Sequence, residues 1–462
     1  MKRKTDENGN SAFFTRSVPP AILRLIALFI LLAVFFTLFS CSLIDGISDA
    51  IGEAVRELTD LAEGESVLDF VGDGELPSFD RKKFRTAEQV FDRYSVYDYS
   101  DKEPIAERMM EFYRGYYAAS VDASDATAVT DALLYCFVAA LGDRYAFYRT
   151  APEYVEYSTD MSGRFYGVGI YVHYDAEAVT VTVSEVYEGS PAEAAGMRAG
   201  DMILAVDGAA LTDIGYDELI NRVRGEEGTE VTLTILRDGE EMTVTAVRGA
   251  INEKSASYRI IGEGEGAIGY VTIRSFKDNT ADQFAAAYRA CLDAGVVGLI
   301  FDLRDNPGGY LNAVIRTISY LVPDGTEVVS FGDYDSPAYA EDGEEEDMVL
   351  ALPCVVLCNE NTASAGELFT SAVRDYATEA FGLLTAKTVG TNTFGKGIMQ
   401  STYTFSDRSA VTLTTAFYYP PSRVNYHDVG IAPDVPVEDD PDTEADEQYV
   451  AALAVLTGLI AQ

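Results

Sequence analysis

The strongest constraint on the fold is a regular alternation of strand-like and helix-like segments in the second half of the chain. Short apolar runs typical of buried strands are followed by longer segments with apolar residues at helical spacing. The predicted strands are residues 267–273 and 296–303 and a run beginning at Pro353, and the predicted helices are 280–294, 311–321 and a segment after Ser364. This alternation indicates an α/β layered domain.

Polar and glycine-rich turns follow two of these predicted strands. Residues 306–309, Asn-Pro-Gly-Gly, follow the apolar run 296–301, and residues 359–366 follow the strand at Pro353. Sites in open α/β sheets gather at the carboxyl ends of the strands. Ser364 would lie on a tight bend where a strand gives way to a helix, beside the free backbone N–H groups of the helix start. That position suits stabilisation of an oxyanion next to a serine hydroxyl.

A serine hydroxyl is a weak nucleophile until a base removes its proton. The chain has only two histidines, His173 and His427, so few candidates exist for a histidine base. A neutral lysine is the other solution, and Lys396 between two glycines is the candidate. Lowering a lysine pKa from about 10.4 to about 7 takes roughly 4 to 5 kcal/mol of selective destabilisation of the ammonium. The net charge of −41 opposes this, but residues 388–404 contain no Asp or Glu, and apolar walls are available from Phe394, Ile398 and Met399.

Three ordered motifs carry a family resemblance. They are DLRDNPGG at residues 302–309, TASAGE at 362–367 and GKGIMQ at 395–400. Together they resemble the carboxyl-terminal processing peptidases, the tail-specific serine-lysine proteases of family S41, over about residues 86–437. The resemblance implies a serine endopeptidase that cleaves proteins near the C-terminus, with Ser364 as the nucleophile, Lys396 as the base and Gln400 orienting the lysine.

The same resemblance implies a crotonase-like layered protease core, over residues 250–440. Its oxyanion hole would be formed by a glycine of the pair Gly308 and Gly309 together with the N–H of Ala365. The chain departs from the family at the outer serines of the TASAGE run, which are Thr362 and Gly366 here. The segment from 376 to 388 is also longer than usual.

A second module is predicted over residues 161–249. Its pieces are YGVGI at 166–170, SPAEAAGM at 190–197, GDMILAVDG at 200–208 and the alternating strand VTLTILR at 231–237. Together they resemble a PDZ domain of the permuted bacterial kind. In such a domain, N–H groups near Gly167, Val168 and Gly169 can hold a terminal carboxylate, and an edge strand from Ile170 can pair with an extended peptide.

Two further interpretations of this module stay open. Gly167 and Gly169 by themselves favour a tight turn that binds nothing, whereas together with the other pieces of the module they favour the peptide site. Arg224, just before Gly225, is a candidate for coupling peptide capture to the active site.

The first 41 residues have the pattern of a membrane-directed segment. Basic residues precede the uncharged apolar run 25–39, which predicts a signal peptide or a short anchor with the catalytic body on the extracytoplasmic face of the cell membrane. A lipidated Cys41 and an uncleaved anchor are equally compatible with the sequence, and either tethers the protein. Residues 42–85 read as a linker, residues 86–160 as a helical region that in the family can contribute to dimerisation, and 441–462 as a C-terminal helix.

Composition limits the partners. Asp and Glu number 75 against 34 Lys and Arg, so phosphates would be repelled and a nucleic-acid partner is not expected. The expected partners are proteins or peptides with unstructured C-terminal tails, with a homo-oligomer as a further option. Five scattered cysteines are expected to be buried thiols, and with so few histidines neither a metal site nor a cofactor is predicted.

Two features of the sequence are compatible with other functions. Residues 390–397, GTNTFGKG, come within one residue of the phosphate-binding loop G-x-x-x-x-G-K-[ST], but Gly397 replaces the hydroxyl that would bind magnesium. The more serious rival is a membrane-tethered PDZ scaffold whose protease-like body is inactive. Against it stands the presence of nucleophile, base, orienting glutamine and oxyanion glycines in one chain.

Overall fold

The computed structural model describes residues 65–72, 74–176, 178–332, 336–340, 349–440, 443 and 445–462. The chain divides into two units, residues 1–69 and residues 70–462. In the first unit the described residues contain the start of a short 3-10 helix, Val67–Phe70. The predicted signal peptide or anchor lies outside the described residues. Among those that are described, no helix combines the length and apolar character needed to cross a membrane.

The second unit begins with helices. They are α1 (Arg81–Tyr94), α2 (Lys102–Phe112) and α3 (Ala126–Leu141), with a π-helical turn, Tyr113–Tyr117, after α2. Asp80 and Asp125 cap α1 and α3 by accepting hydrogen bonds from backbone N–H groups of their first turns. The Phe137 ring packs against Phe84 and Phe91, which fixes α3 on α1. A short strand β1 (Phe147–Arg149) and a helix α4 (Ala151–Met161) follow.

The next segment, residues 164–252, is built mainly of short strands and overlaps the module predicted at residues 161–249. Its elements are β2 (Arg164–Gly167), β3 (Ile170–Asp175), β4 (Thr180–Val186), α5 (Pro191–Ala194), β5 (Met202–Val206), β6 (Ala209–Ala210), α6 (Leu211–Val223), β7 (Glu230–Arg237), β8 (Glu240–Val247) and β9 (Gly249–Asn252). An antiparallel sheet has the order β3-β4-β5-β7-β8, with β6 paired to β5, and β2 pairs separately with β9. The strand predicted at 231–237 is confirmed, since alternate residues of β7, Val231, Leu233 and Ile235, are buried.

The remaining chain forms the core. Its elements are β10 (Ala256–Ile261), β11 (Ile268–Ile273), α7 (Thr280–Asp293), β12 (Leu299–Asp302), α8 (Leu311–Ser319), β13 (Glu327–Phe331), β14 (Ser336–Tyr339), β15 (Cys354–Cys358), α9 (Ala365–Tyr376), β16 (Ala386–Gly390), β17 (Ile398–Thr404), β18 (Ala410–Tyr419), β19 (Val435–Pro436) and α10 (Glu447–Ile460). The strand and helix alternation predicted between residues 267 and 376 is therefore confirmed, with shifts of a few residues at element ends.

The principal sheet has the order β10-β11-β12-β15-β16-β19 and is parallel from β11 to β19. Its strands read as continuous apolar runs because both faces are covered. Leu299 and Phe301 of β12 pack into the core that includes α7 and α9, whereas Ile300 packs on the opposite face against Leu456 of α10. The fold is mixed α/β, as predicted, and the crotonase-like description stays a prediction.

Two features of the topology position the site. Asp302 at the end of β12 pairs with Leu357 near the end of β15, so the loops that follow these two strands start side by side. A second sheet, of β1, β18, β13 and β14 with β17 on β18, carries the chain segment that begins just after Lys396. Four of the five cysteines, Cys136, Cys291, Cys354 and Cys358, are free and buried as expected, and Cys41 lies outside the described residues.

Candidate active site

Ser364 occupies the turn between β15 and α9. The turn is tied to the loop after β12, since Thr362 Oγ1 donates to the carbonyl oxygen of Leu303 at 2.8 Å and the Ala363 N–H donates to that of Asn306 at 2.8 Å. Ser364 itself has φ 54° and ψ −116°, a conformation that L-residues rarely adopt. Such strain persists only where the surroundings enforce it, and it is concentrated at functional sites.

The two glycines of the DLRDNPGG motif lie directly against this turn. A Cβ at Gly308 would be 2.7 Å from Ser364 Cβ and 2.9 Å from the Ala365 nitrogen, so only glycine permits this approach. A Cβ at Gly309 would be 2.1 Å from the Phe276 carbonyl oxygen. The glycines therefore allow three backbone segments to meet beside the serine.

The N–H groups predicted for the oxyanion hole differ in whether they already donate a hydrogen bond within the chain. The Gly308 N–H donates to Asn306 Oδ1 at 2.8 Å and is already satisfied. Gly309 forms a parallel bridge with Phe276 in which the bonds are made by the carbonyl of Gly308 and the N–H of Tyr310. Within the described part of the chain, the N–H groups of Gly309 and Ala365 make no hydrogen bond. Of the glycine pair, Gly309 is the one with an available donor.

Glu367 is the residue that holds the two halves of the site together. Its side chain is 0% exposed. One carboxylate oxygen, Oε2, accepts from the Ser364 N–H at 2.9 Å and the Lys396 N–H at 2.7 Å. The other, Oε1, accepts from Thr393 Oγ1 at 2.6 Å and the Gly395 N–H at 2.7 Å. One buried carboxylate thus connects the serine turn to the lysine loop.

The chemistry of this carboxylate follows from its four donors. Burial raises the pKa of Glu367, while the four hydrogen bonds oppose that rise. Both oxygens are saturated as acceptors, which fits the ionised form. Sequence reasoning missed this role. The spacing of Ser364 and Glu367 is that of a helix capping box, which indicates the bond to the Ser364 N–H but not the bonds to the lysine loop.

Lys396 lies in a largely buried environment on the other side of the same cavity. Burial lowers its pKa from the usual 10.5, and the charges of Asp143 and Glu367 oppose that fall. The Nζ atom lies 4.8 Å from the centre of the Tyr145 ring. The acid-free segment 388–404 therefore does not keep the lysine away from carboxylates as expected, because Asp143 and Glu367 are brought in from other parts of the chain.

Two tyrosines that were not predicted from the sequence form hydrogen bonds at the site. The Tyr418 phenol donates to the Lys396 carbonyl oxygen at 2.9 Å and interacts with the Ser364 side chain. The Tyr426 phenol donates to Tyr418 at 2.9 Å. Burial raises the pKa of both phenols, so they are neutral donors. They fix the backbone of the lysine relative to the serine.

The remaining predicted site residues are placed as follows. Gln400 lies on β17, and in the described structure its amide nitrogen bonds Ile398 O at 3.4 Å rather than Lys396. A cavity of about 740 Å³ brings together Ser364, Lys396, Gln400, Gly308, Gly309 and Ala365. His173 lies on β3 of the other module, and His427 packs near Tyr145 with Nε2 3.5 Å from Asp428 Oδ2. Neither histidine lines this cavity.

The phosphate-loop alternative conflicts with the geometry. A phosphate-binding loop directs its backbone N–H groups at the ligand. Here the N–H groups of Gly395 and Lys396 donate to Glu367, a carboxylate of the same chain. Among the described residues, no group of three or more His, Cys, Asp and Glu side chains could hold a metal ion.

A second cavity of about 220 Å³ lies in the module of residues 161–249. Its lining includes all four predicted peptide-binding residues, Gly167, Val168, Gly169 and Ile170, and also Arg224. A Cβ at Gly169, where φ is 81°, would lie 2.5 Å from Ser190 Cβ, so glycine is required there for packing as well. The two cavities share lining residues, which are Asp160, Tyr171, Glu253 and Lys277.

Arg224 lies at this shared wall. Its Nη2 is 3.4 Å from Asp160 Oδ1, and its guanidinium stacks 4.7 Å from the centre of the Phe165 ring. Asp160 also pairs with Lys277 at 3.1 Å, and Lys277 pairs with Glu253 at 2.7 Å. These ion pairs form a continuous row, Arg224–Asp160–Lys277–Glu253, where the two cavities meet.

Comparison with known proteins agrees with these features. A model of peptidase family S41 matches residues 267–437, and a model of the PDZ domain matches residues 182–237. The chain is similar to probable CtpA-like serine proteases of Staphylococcus haemolyticus and Staphylococcus aureus strain N315. Each is 33% identical over 315 residues, covering 68% of this chain and 61% of the relative. The match thus spans less than two thirds of the length of these relatives.

Solved structures add the fold. A structure described as an S41 protease from Bacteroides fragilis covers 80% of this chain and 97% of its own, with a TM-score of 0.51 and 18% identity. The likeness concerns the fold alone at this identity. The chain carries a peptidase domain of family S41 together with a PDZ domain, and the family resemblance predicted from its motifs is confirmed.

Proposed function

We propose that the chain is a serine endopeptidase in which neutral Lys396 activates Ser364. The observation that carries the proposal is the buried Glu367 carboxylate, which binds the backbone N–H groups of both residues through one oxygen. Nucleophile and base are thereby held at one cavity although 31 residues separate them in sequence. Burial supplies the lowered lysine pKa that this chemistry requires.

The proposed reaction has two halves. Lys396 Nζ removes the proton of Ser364 Oγ, which attacks a backbone carbonyl carbon of the substrate. The resulting ammonium returns that proton to the leaving amine as the peptide bond breaks, and an acyl-enzyme remains. Water then attacks the ester, with Lys396 again taking a proton, and Ser364 is released. Gln400 lines the same cavity, and we assign to its amide oxygen the role of accepting from the lysine amine and orienting it.

The negative oxygen of the intermediate is stabilised by backbone donors. We assign this role to the N–H groups of Gly309 and Ala365, because neither is used within the described chain. The resemblance left both glycines of the pair open for this role, and we assign Gly308 a different one. Its N–H is held by Asn306, and its contribution is to let Ser364 approach closely.

Substrate capture is assigned to the PDZ domain. The cavity lined by Gly167, Val168, Gly169 and Ile170 suits a terminal carboxylate and an extended tail. Substrates would be proteins or peptides with unstructured C-termini. An inactive PDZ scaffold is disfavoured by the strained Ser364 backbone, since a chain without the chemistry has no need to maintain that strain.

Tethering and assembly are proposed from sequence. We place the catalytic body on the extracytoplasmic face of the cell membrane, held by residues 1–41 as a lipoprotein or an uncleaved anchor. A homo-oligomer formed through the helical N-terminal region is the proposed assembly. Protease protection of the anchored protein in sealed cells or spheroplasts tests the first, since external protease should degrade it. Light scattering of the ectodomain tests the second, since a monomer would contradict it.

Activity should rise with pH. Only the unprotonated lysine accepts a proton, and burial lowers the Lys396 pKa below 10.5, so kcat/KM should increase through that lowered pKa and then level off. The measurement is kcat/KM for a disordered C-terminal tail peptide between pH 6 and 10. A flat profile over this range would remove Lys396 from the role of base.

Arg224 should affect only substrates that engage the PDZ domain. We expect Arg224→Gln to lower kcat/KM for tail-bearing proteins by roughly fivefold, because its partly exposed ion pair with Asp160 connects the two cavities. A short peptide without the tail should be cleaved at the normal rate. Arg222→Gln, two residues earlier at the end of α6 and paired with Glu218, is the matched control. Equal losses for both substrates would argue against coupling.

A further inference from the structure

One charged side chain of the active-site cavity has no function in the proposed mechanism. Arg149, at the end of β1, lines the cavity that contains Ser364 and Lys396. Its Nη1 donates to Thr412 Oγ1 at 3.2 Å. Its guanidinium lies 4.1 Å from the centre of the Tyr157 ring and 5.0 Å from that of Phe147. Within the described residues these neighbours are a hydroxyl and two rings, and no carboxylate lies within ion-pair distance.

The lack of a paired acid distinguishes Arg149 from Arg274 and Lys277, which line the same cavity and pair with carboxylates. Carboxylates are in excess in this chain, with 75 acidic and 34 basic residues. The acid that Arg149 influences electrostatically, Glu153, is committed to hydrogen bonds from the Thr150 N–H at 2.7 Å and from the Tyr135 phenol. A half-buried guanidinium retains several donors in a fork that fits a carboxylate.

The other charged side chains of the cavity have partners, either ions of opposite sign or neutral hydrogen-bond donors. Lys277 pairs with Asp160 and Glu253, and Asp305 accepts from the side-chain amides of Asn359 and Asn361. Arg274 pairs through Nη2 with Glu185, although its buried Nη1 has no partner among the described residues. The unpaired positive charge of the cavity is therefore concentrated at Arg149, with a smaller share at Arg274.

The position of Arg149 along the cavity can be read from the strands. Lys396 lies two residues before β17, Gln400 and Thr402 lie on it, and all three line the cavity. Thr402 faces Thr412 of β18, to which Arg149 is bound. Six residues of extended chain span roughly 20 Å. An extended substrate lying along this wall would therefore present a side chain to Arg149 at about four to six residues from the bond under attack by Ser364.

We propose that Arg149 forms a carboxylate-binding subsite that selects an Asp or Glu side chain of the substrate, about four to six residues from the scissile bond. The proposal rests on the peptidase function proposed above. The fork of the guanidinium binds the carboxylate, while the rings of Tyr157 and Phe147 hold the fork in place. The subsite also offsets the repulsion that a chain of net charge −41 exerts on an acidic substrate.

The test uses a set of cleavable disordered peptides in which Glu or Gln is placed at each position from two to eight residues on either side of the cut. The wild-type protein should prefer Glu over Gln about tenfold in kcat/KM at one position, since a charge-assisted hydrogen bond is worth that much. Arg149→Gln should remove this preference, and Arg149→Glu should reverse it in favour of Lys at the same position. Arg316→Gln, an exposed arginine paired with Asp282, is the control and should keep the preference.

The outcomes are distinguishable. Equal cleavage of Glu and Gln peptides at every position by the wild type overturns the subsite and leaves the peptidase function standing. A Glu preference that survives Arg149→Gln but is lost in Arg274→Gln also overturns it. A preference that disappears when the peptide C-terminus is amidated assigns the carboxylate to the tail rather than to a side chain, which contradicts the proposal. Absence of cleavage of any peptide removes the proposed function itself. The ratio of Glu to Gln rates reports charge selection, which a purely structural role of Arg149 would not change.

Discussion

Replacing Ser364 with alanine should lower kcat/KM by about 10⁴-fold or more, because the nucleophile of a covalent mechanism cannot be replaced by a methyl group. The variant should fold normally, since the turn is held by backbone contacts and by the Glu367 carboxylate, which the substitution leaves in place. Removing one hydroxyl also leaves the PDZ cavity untouched, so tail peptides should bind with unchanged affinity. Proteolysis followed by mass spectrometry and peptide binding by fluorescence anisotropy check the two expectations.

The control for this variant is Ser120→Ala. Ser120 is exposed, lies away from the cavity, and its hydroxyl donates to the carbonyl oxygens of Tyr116 and Tyr117 in its own turn. Its loss should leave kcat/KM within about twofold of the wild type, because exposed side chains away from a site contribute little. If Ser364→Ala still cleaves at a comparable rate, Ser364 is not the nucleophile. If neither the wild type nor the variant cleaves while both bind tails, the inactive scaffold becomes the better description.

Replacing Glu367 should have the second-largest effect. Glu367→Ala removes the acceptor of three N–H groups and one hydroxyl, and leaving such donors buried without partners costs about 2–4 kcal/mol of folding stability. The Ser364 turn and the Lys396 loop then lose their common anchor. We expect kcat/KM to fall by about 10² to 10³, since small displacements of reacting groups are costly.

The isosteric change Glu367→Gln tests whether the hydrogen-bond acceptors of the carboxylate, and not the size of the side chain, position the site. An amide presents an NH₂ group where one carboxylate oxygen accepts two hydrogen bonds, so it faces donors with a donor and should be nearly as damaging. It also removes a negative charge that raises the Lys396 pKa. The remaining activity of Glu367→Gln should therefore rise with pH around a lower midpoint than the activity of the wild type.

The control is Glu360→Gln, because Glu360 is exposed and bonds only the Thr391 hydroxyl nearby at 2.9 Å. Its activity and pH profile should match those of the wild type. Thermal unfolding measured beside the kinetics shows whether the folded fraction explains any loss. A Glu367→Gln protein with normal activity, or with its pH profile shifted upward, would contradict the anchoring role.

The sequence allowed the core to be predicted because its two kinds of element leave different apolar patterns. β15 is apolar at every position since both faces of the sheet are covered, whereas α9 alternates at helical spacing. The site residues in motifs were predictable for a related reason. Ser364, Gly308 and Gly309 lie in the loops just after two neighbouring parallel strands, so adjacency in the sheet brings them together.

The rest of the site depends on contacts between residues far apart in the sequence, which local apolar patterns do not reveal. Glu367 binds one hydroxyl and two backbone N–H groups that lie 26 to 29 residues away, which no local pattern indicates. Tyr145 and Tyr418 reach Lys396 from different sheet and loop segments, and the carboxylate of Asp143 arrives with the first of them. The expectation of an acid-free lysine was wrong for this reason, since it considered only neighbours in sequence.

The central claim is that the Lys396 amine is uncharged when it meets Ser364. The most direct test is an NMR titration of the lysine side chains in the Ser364→Ala protein labelled with ¹³C-lysine, with the Lys396 signal assigned by its loss in Lys396→Arg. The predicted result is a Lys396 midpoint below 10.5, the usual pKa of a lysine. A Lys396 signal that stays in its cationic position up to pH 10.5 would contradict the mechanism.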